Sequence, residues 1–434
     1  MNGIEKYFYL CIFLITLLLS CRKEKDKQPP LITIRSPSEN QPFHVYGNIP
    51  VKGTISDESI LSKATVNLLN EEGIAVYKTV PVPVNASTTT IDIQYALNNI
   101  HLESGRYQIC VFASDGKNDA YAYQHVYIEG VPRVVSEILV TTTTDTSETK
   151  ISIVDSSGIL TPYTVFSHDH LGTFVNSYFQ TFFHCGNYNG HFSGFDLNNH
   201  SLLFDIPPVY TSATPYFTGF FAKDNTCYLS LYDEQIRGYD PQGAAIYHAK
   251  QIKGYFSRHM CLNGGQLITE EINKIKKDRK LVCYYATGVA KQSVALMQDV
   301  VSYCELDDTH VFVFGNTSGQ ATLQLYDRIA NNLWNPYPYA LASGSLLSAL
   351  KLDADTYLIA HSNGTIYKYV YSLSSITPYL TGYVAIQLLN DNVSNTLYVI
   401  EKNKISTFDL FNLQPLRTIH SAENIREVNL VYNR

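Results

Sequence analysis

The sequence predicts an all-β chain in two folded parts, a β-sandwich followed by seven four-stranded sheets that the C-terminal strand seals into a ring. Two observations carry this. A five-residue phrase recurs seven times from about Val134 onward at a nearly constant interval, and residues 31–132 hold short alternating strands separated by clusters of Ser, Asn, Asp and Gly. The recurring segments also lack the 3.6-residue period that a helical repeat of similar length would need.

Residues 1–20 read as a secretion leader. After Glu5 and Lys6, the thirteen residues 7–19 are apolar apart from Thr16, too short a run to span a bilayer as a helix but right for the apolar region of a signal peptide. Leu18, Leu19, Ser20 and Cys21 follow, and then the charged run 22–27. These four residues resemble the lipobox of bacterial lipoproteins. The resemblance implies cleavage before Cys21 and acylation of that cysteine, and two or three acyl chains, at about 0.8 kcal/mol per buried methylene, hold a protein to a membrane effectively permanently. The expected location is therefore the outer membrane, by a lipid anchor. Residues 21–30, mixing both charge signs and ending in Gln28, Pro29 and Pro30, should form an extended tether. The order Cys21, Arg22, Lys23, Glu24 partly resembles an export signal of Gram-negative surface lipoproteins, but Lys25 interrupts the acidic pair, which leaves open whether the cell surface or the periplasm is faced.

Composition fits an exported β protein. Tyrosine occurs 33 times against a single tryptophan, Trp334, and charged residues make up 16% against a usual figure of about 25%. A net charge of −7 with no Lys/Arg stripe argues against nucleic acid as a partner, since nothing would neutralise the phosphates. Besides Cys11 and Cys21, six cysteines remain, at 110, 185, 227, 261, 283 and 304. None forms a CxxC pair, and each lies in an apolar or aromatic run, where a free thiol behaves as a small hydrophobe; pairing across neighbouring strands stays open.

In residues 31–132, strand patterns around Ile32, Ile34 and Val51 are followed by 64–69, 90–95, 107–113 and 120–128, six or seven strands in all. The order Gly105-x-Tyr107 before the penultimate strand, and the turn at 115–118, resemble Ig-like or cadherin-like modules of bacterial surface proteins. Pro132 and Arg133 then form a minimal hinge, implying a limited range of domain orientations.

From 134 to 434 the phrase is two alternating apolar residues, an aromatic or aliphatic residue and a terminal Asp or Tyr. Its copies end at Asp155, Asp196, Asp240, Tyr285, Asp327, Tyr371 and Asp409, at intervals of 38 to 45 residues. That is the spacing of propeller blades of four antiparallel strands. The first copy lacks an inner strand, whereas the last has a strand too many at 425–432. Pairing 425–432 with the Glu137 segment gives a closed seven-bladed β-propeller with no exposed sheet edge. Phe195-Asp196, Tyr239-Asp240, Tyr326-Asp327 and Phe408-Asp409 resemble the strand ends of WD40, YVTN and quinoprotein propellers. The Gly-His and Trp-Asp pairs of WD40 blades and the tryptophan docking motifs of quinoproteins are missing, so no quinone or other cofactor is expected.

No catalytic constellation stands out, and no enzyme activity is expected. The five repeated aspartates suit turn amides at strand ends. His168, Asp169 and His170, with His184 and His191, are weak candidates for a metal site without a zinc signature; Asp57, Glu58, Asp115 and Asp119 are weak candidates for calcium. Among inner strands the polar exceptions are Arg258, His259, Glu305, Lys351, Gln387, Arg426 and Glu427, without a paired-carboxylate arrangement for glycosidic chemistry. Tyr188, Tyr210, Tyr216, Trp334, Tyr337 and Tyr339 are candidates for a binding surface. The leading expectation is a lipid-anchored, non-enzymatic binding or scaffold module whose propeller face recognises a protein partner; the alternatives are glycan capture in a polysaccharide-uptake system, and a propeller lyase or hydrolase.

Overall fold

The computed structural model describes residues 28–144, 147–155, 157–209, 214–337 and 341–434, and no helix occurs among the described residues. The leader, Cys21 and most of the tether lie outside them. The chain divides into two compact units, Met1–Pro132 and Arg133–Arg434.

The first unit holds two sheets. Leu31–Ser36, Asn48–Ser56 and Thr88–Ala96 make a three-stranded sheet, and Gln41–His44, Asp119–Glu129, Gly105–Ser114, Lys63–Leu69 and Val80–Pro81 a five-stranded one. Alternation decides which face is inside. In Asn48–Ser56, Ile49, Val51 and Ile55 are buried while Asn48 and Lys52 are exposed. They join Val66, Ile109, Val111 and Val126 of the other sheet in one core. Eight strands are present where six or seven are expected, because two edge strands, Gln41–His44 and the two-residue Val80–Pro81, carry too little pattern to be read.

The second unit holds seven four-stranded sheets. In the second to seventh sheets the strands follow chain order, and every pairing is antiparallel. Each copy of the phrase is the third strand of its sheet, as in Thr149–Val154, Phe192–Asp196 and Lys404–Asp409. The first sheet takes its innermost strand from the far end of the chain: Asn424–Tyr432 pairs with Val135–Thr143, from Asn424 opposite Thr143 to Tyr432 opposite Val135. Ile425, Val428 and Val431 of that strand are buried. At roughly 1.5–3 kcal/mol for each buried aliphatic side chain, they are worth about 5–9 kcal/mol, comparable to the whole stability of an ordinary domain.

Second strands lie between neighbouring sheets, which is why Thr181–Cys185 and Thr356–His361 are buried throughout and read as near-continuous apolar runs rather than alternating ones. Outer strands are half-solvated, with Leu202 and Leu203 of Leu202–Ile206 exposed. Innermost strands of successive sheets touch. Some approach so closely that a side chain has no room: a Cβ on Gly219 would lie 2.4 Å from the Arg258 carbonyl oxygen of the next sheet. From the seventh sheet to the first, Gln387 accepts from the Val428 amide at 2.8 Å and donates to its carbonyl at 3.1 Å. From the first to the second, the Thr173 amide donates to Glu427 at 2.7 Å.

The five repeated aspartates all serve turns. Asp155 accepts from the amides of Ser157 and Ile159, Asp240 from Gln242 and Ala244, Asp327 from Ile329 and Ala330, Asp409 from Phe411 and Asn412, and Asp196 from Asn198. These bonds hold the Asp327 carboxyl below its ordinary range, the Ala330 amide acting most strongly.

Candidate functional site: the mouth of the central cavity

Residues from all seven innermost strands line one cavity of about 650 Å³, within the size range of small-molecule sites. Of the inner-strand polar residues expected from the sequence, His259, Gln387, Arg426 and Glu427 line it. Arg258 is exposed elsewhere, while Glu305 and Lys351 end their strands, Glu305 paired with Lys223 and Lys351 bonded to the Leu306 carbonyl at 3.2 Å.

The framework engages most of the charges here. Asp169, buried beside the mouth, accepts from the amides of Asn187 at 3.1 Å and Tyr188 at 2.7 Å. Glu427 accepts from Thr173 and stands 3.4 Å from His170 Nε2. His259 donates through Nδ1 to Glu270 at 2.8 Å. Glu270 is itself buried and held by Arg279 at 3.0 Å. Arg426 donates through Nε to the buried hydroxyl of Thr143 at 2.7 Å.

The loop 186–190 is pinched at its base, where a Cβ on Gly186 would lie 2.2 Å from the Gly190 Cα, a closeness only glycines permit. At its tip Tyr188 is 43% exposed and lines the cavity. The other aromatic candidates do not join it. Tyr216 is only 3% exposed and packs edge-on against Phe217 at 4.7 Å, so its assignment to a binding surface is corrected: it is a core residue. Trp334 and Tyr337 are half-buried against the core between the fifth and sixth sheets. Tyr210 and Tyr339 lie outside the described residues.

The histidines expected as weak metal candidates are brought together, but as a stack. Ring centroids are 5.6 Å apart for His170 and His184, 5.0 Å for His184 and His168, and 6.0 Å for His168 and His191. Phe166 lies on His184 at 4.3 Å. Burial pushes the His184 imidazolium well below its ordinary pKa, so the ring is neutral, and both its nitrogens lack hydrogen-bond partners. Asp115 accepts from the amides of Lys117 and Asn118, both at 2.6 Å, and Asp57 from Ser59 at 2.7 Å. Asp119 opens the strand Asp119–Glu129. Among the described residues, no group of three or more His, Cys, Asp or Glu is arranged to hold a metal ion.

Sequence reasoning passed over Thr143, Asn187 and the buried Glu270. The last left a signal: two adjacent carboxylates in Gln266–Asn273, a second strand buried along most of its length.

No protein-family model matches the chain, and no curated protein matches it. Among solved structures, a protein of unknown function from Desulfotomaculum acetoxidans is similar at 9% identity and a TM-score of 0.50, over 68% of this chain and 98% of the other. A quinoprotein alcohol dehydrogenase-like protein from Bacteroides thetaiotaomicron is 12% identical with a TM-score of 0.45, over 93% and 99%. The β-propeller domain of Swd1 from Myceliophteria thermophila is 9% identical with a TM-score of 0.43, over 58% and 87%. Propellers are thus among the structural neighbours of this all-β chain, a likeness of fold alone.

Proposed function

We propose that this chain is a lipid-anchored, non-catalytic glycan-binding protein, in which an Ig-like sandwich and a tether space a closed seven-bladed propeller from the outer membrane. Supporting the closure are the pairing of Asn424–Tyr432 with Val135–Thr143 and the bonds joining Gln387 to Val428. The anchor rests on the 18–21 motif. The observation that carries the binding function is a polar cavity of about 650 Å³ whose rim presents an exposed tyrosine on a pinched loop. Such a concave polar site with one aromatic face suits a sugar. Recognition of a protein partner by a propeller face would draw on several aromatic loops together, and the burial of Tyr216 removes one of them.

Affinity electrophoresis of the detergent-solubilised full chain through gels containing soluble polysaccharides tests this. At least one polysaccharide should retard the protein, and Tyr188→Ala should abolish the retardation. No retardation by any, together with a reproducible protein partner in pull-down or turnover of a substrate, would overturn the reading. Cys21→Ser should release the protein from the membrane fraction; retention would contradict the anchor.

A further inference from the structure

We infer that the ligand of this mouth carries a carboxylate, held by Arg426 in the cavity that Tyr188 also lines. The inference rests on reading the mouth as a sugar site and names the class: an oligosaccharide containing uronic acid.

The charges of the mouth are not equivalent. Both oxygens of Asp169 accept backbone amides. Glu427 is engaged by the Thr173 amide and His170. Arg426 is exposed, and its one hydrogen bond uses Nε, to Thr143; among the described residues it makes no ion pair. The terminal NH2 groups of the guanidinium remain, in the fork geometry that matches a carboxylate. Because Thr143 is buried and fixes Nε, part of the ordering cost of a long side chain is met before binding.

Other residues lining the same cavity supply the rest of a sugar site. Tyr188 offers an aromatic face, and Asn187 also lines the cavity. With Nδ1 given to Glu270, the Nε2 of His259 is the ring atom left to accept a ligand hydroxyl. The net charge of −7 opposes an anion at long range, but screening over about 8 Å at physiological salt leaves contact with Arg426 to decide.

Titration calorimetry of the full chain in detergent, with trigalacturonate and with its fully methyl-esterified form, tests the inference. The acid should bind about tenfold or more tighter than the ester, the effect of one charge-assisted pair. Its affinity should fall as salt rises from 50 to 300 mM. Arg426→Gln should bring acid and ester together while leaving the affinity for the ester unchanged, and Arg426→Lys should recover part of the difference. Equal affinity for the two forms, or binding of neutral oligosaccharides alone, overturns the carboxylate and leaves the glycan reading standing. Failure of every saccharide, acidic and neutral, to bind overturns both.

Discussion

Replacing Glu271 with glutamine should change how the stability of the second unit depends on pH. Glu271 is fully buried in Gln266–Asn273. It accepts the Ile252 amide at 3.1 Å and the Tyr284 hydroxyl. Burial outweighs these bonds and pushes its pKa from 4.5 up to about 7. The folded state therefore holds the proton more tightly than the unfolded chain, and the associated stability is full below pH 4.5 and is lost as pH rises through 7. At 1.36 kcal/mol per pKa unit the loss is about 3 kcal/mol. Glutamine has no such proton, so whatever fixed amount Glu271→Gln costs in hydrogen bonding, its stability relative to the parent should rise by about 3 kcal/mol between pH 4.5 and 8. Urea unfolding followed by the fluorescence of Trp334, the single tryptophan, reports on the second unit. Parallel curves for parent and variant across that range would refute the reasoning.

Two further outcomes follow from named contacts. Asp240→Ala removes the acceptor for the Gln242 and Ala244 amides and should lower stability by about 1–2 kcal/mol, read as a shift in urea midpoint with an unchanged slope; no shift would contradict the turn role of the repeated aspartates. The cysteines at 110, 185, 227, 261, 283 and 304 are free and buried. Burial raises their thiols, Cys304 to about 12, so none should react with iodoacetamide at pH 8 before unfolding, and peptide mass spectrometry showing rapid native alkylation at any would contradict their placement.

The repeat was legible because aspartate at a strand end is a local device: a carboxylate and the turn amides that follow it sit within four residues. Inner turns and the apolar second strands were legible for the same reason. Edge strands such as Gln41–His44 were not, since four residues interrupted by Pro42 carry no period and their pairing with Asp119–Glu129 is non-local and parallel. The mouth was half legible. Polar residues on inner strands announced His259, Gln387, Arg426 and Glu427, but Thr143 and Asn187 reach the site only through the course of their strands and loops. Tyr216 misled because burial of a tyrosine depends on its neighbours in space, here Phe217 and the core between the second and third sheets.

The cavity depends on the pairing of Asn424–Tyr432 with Val135–Thr143, and hydrogen exchange of the full chain, resolved by peptide, tests that pairing directly. Amides of 424–432 and 135–143 should be protected together, to the degree of inner strands such as 255–263, because they share one ladder. Exchange of 424–432 as fast as an exposed loop, with 135–143 left protected, would mean that the C-terminal strand does not seal the first sheet.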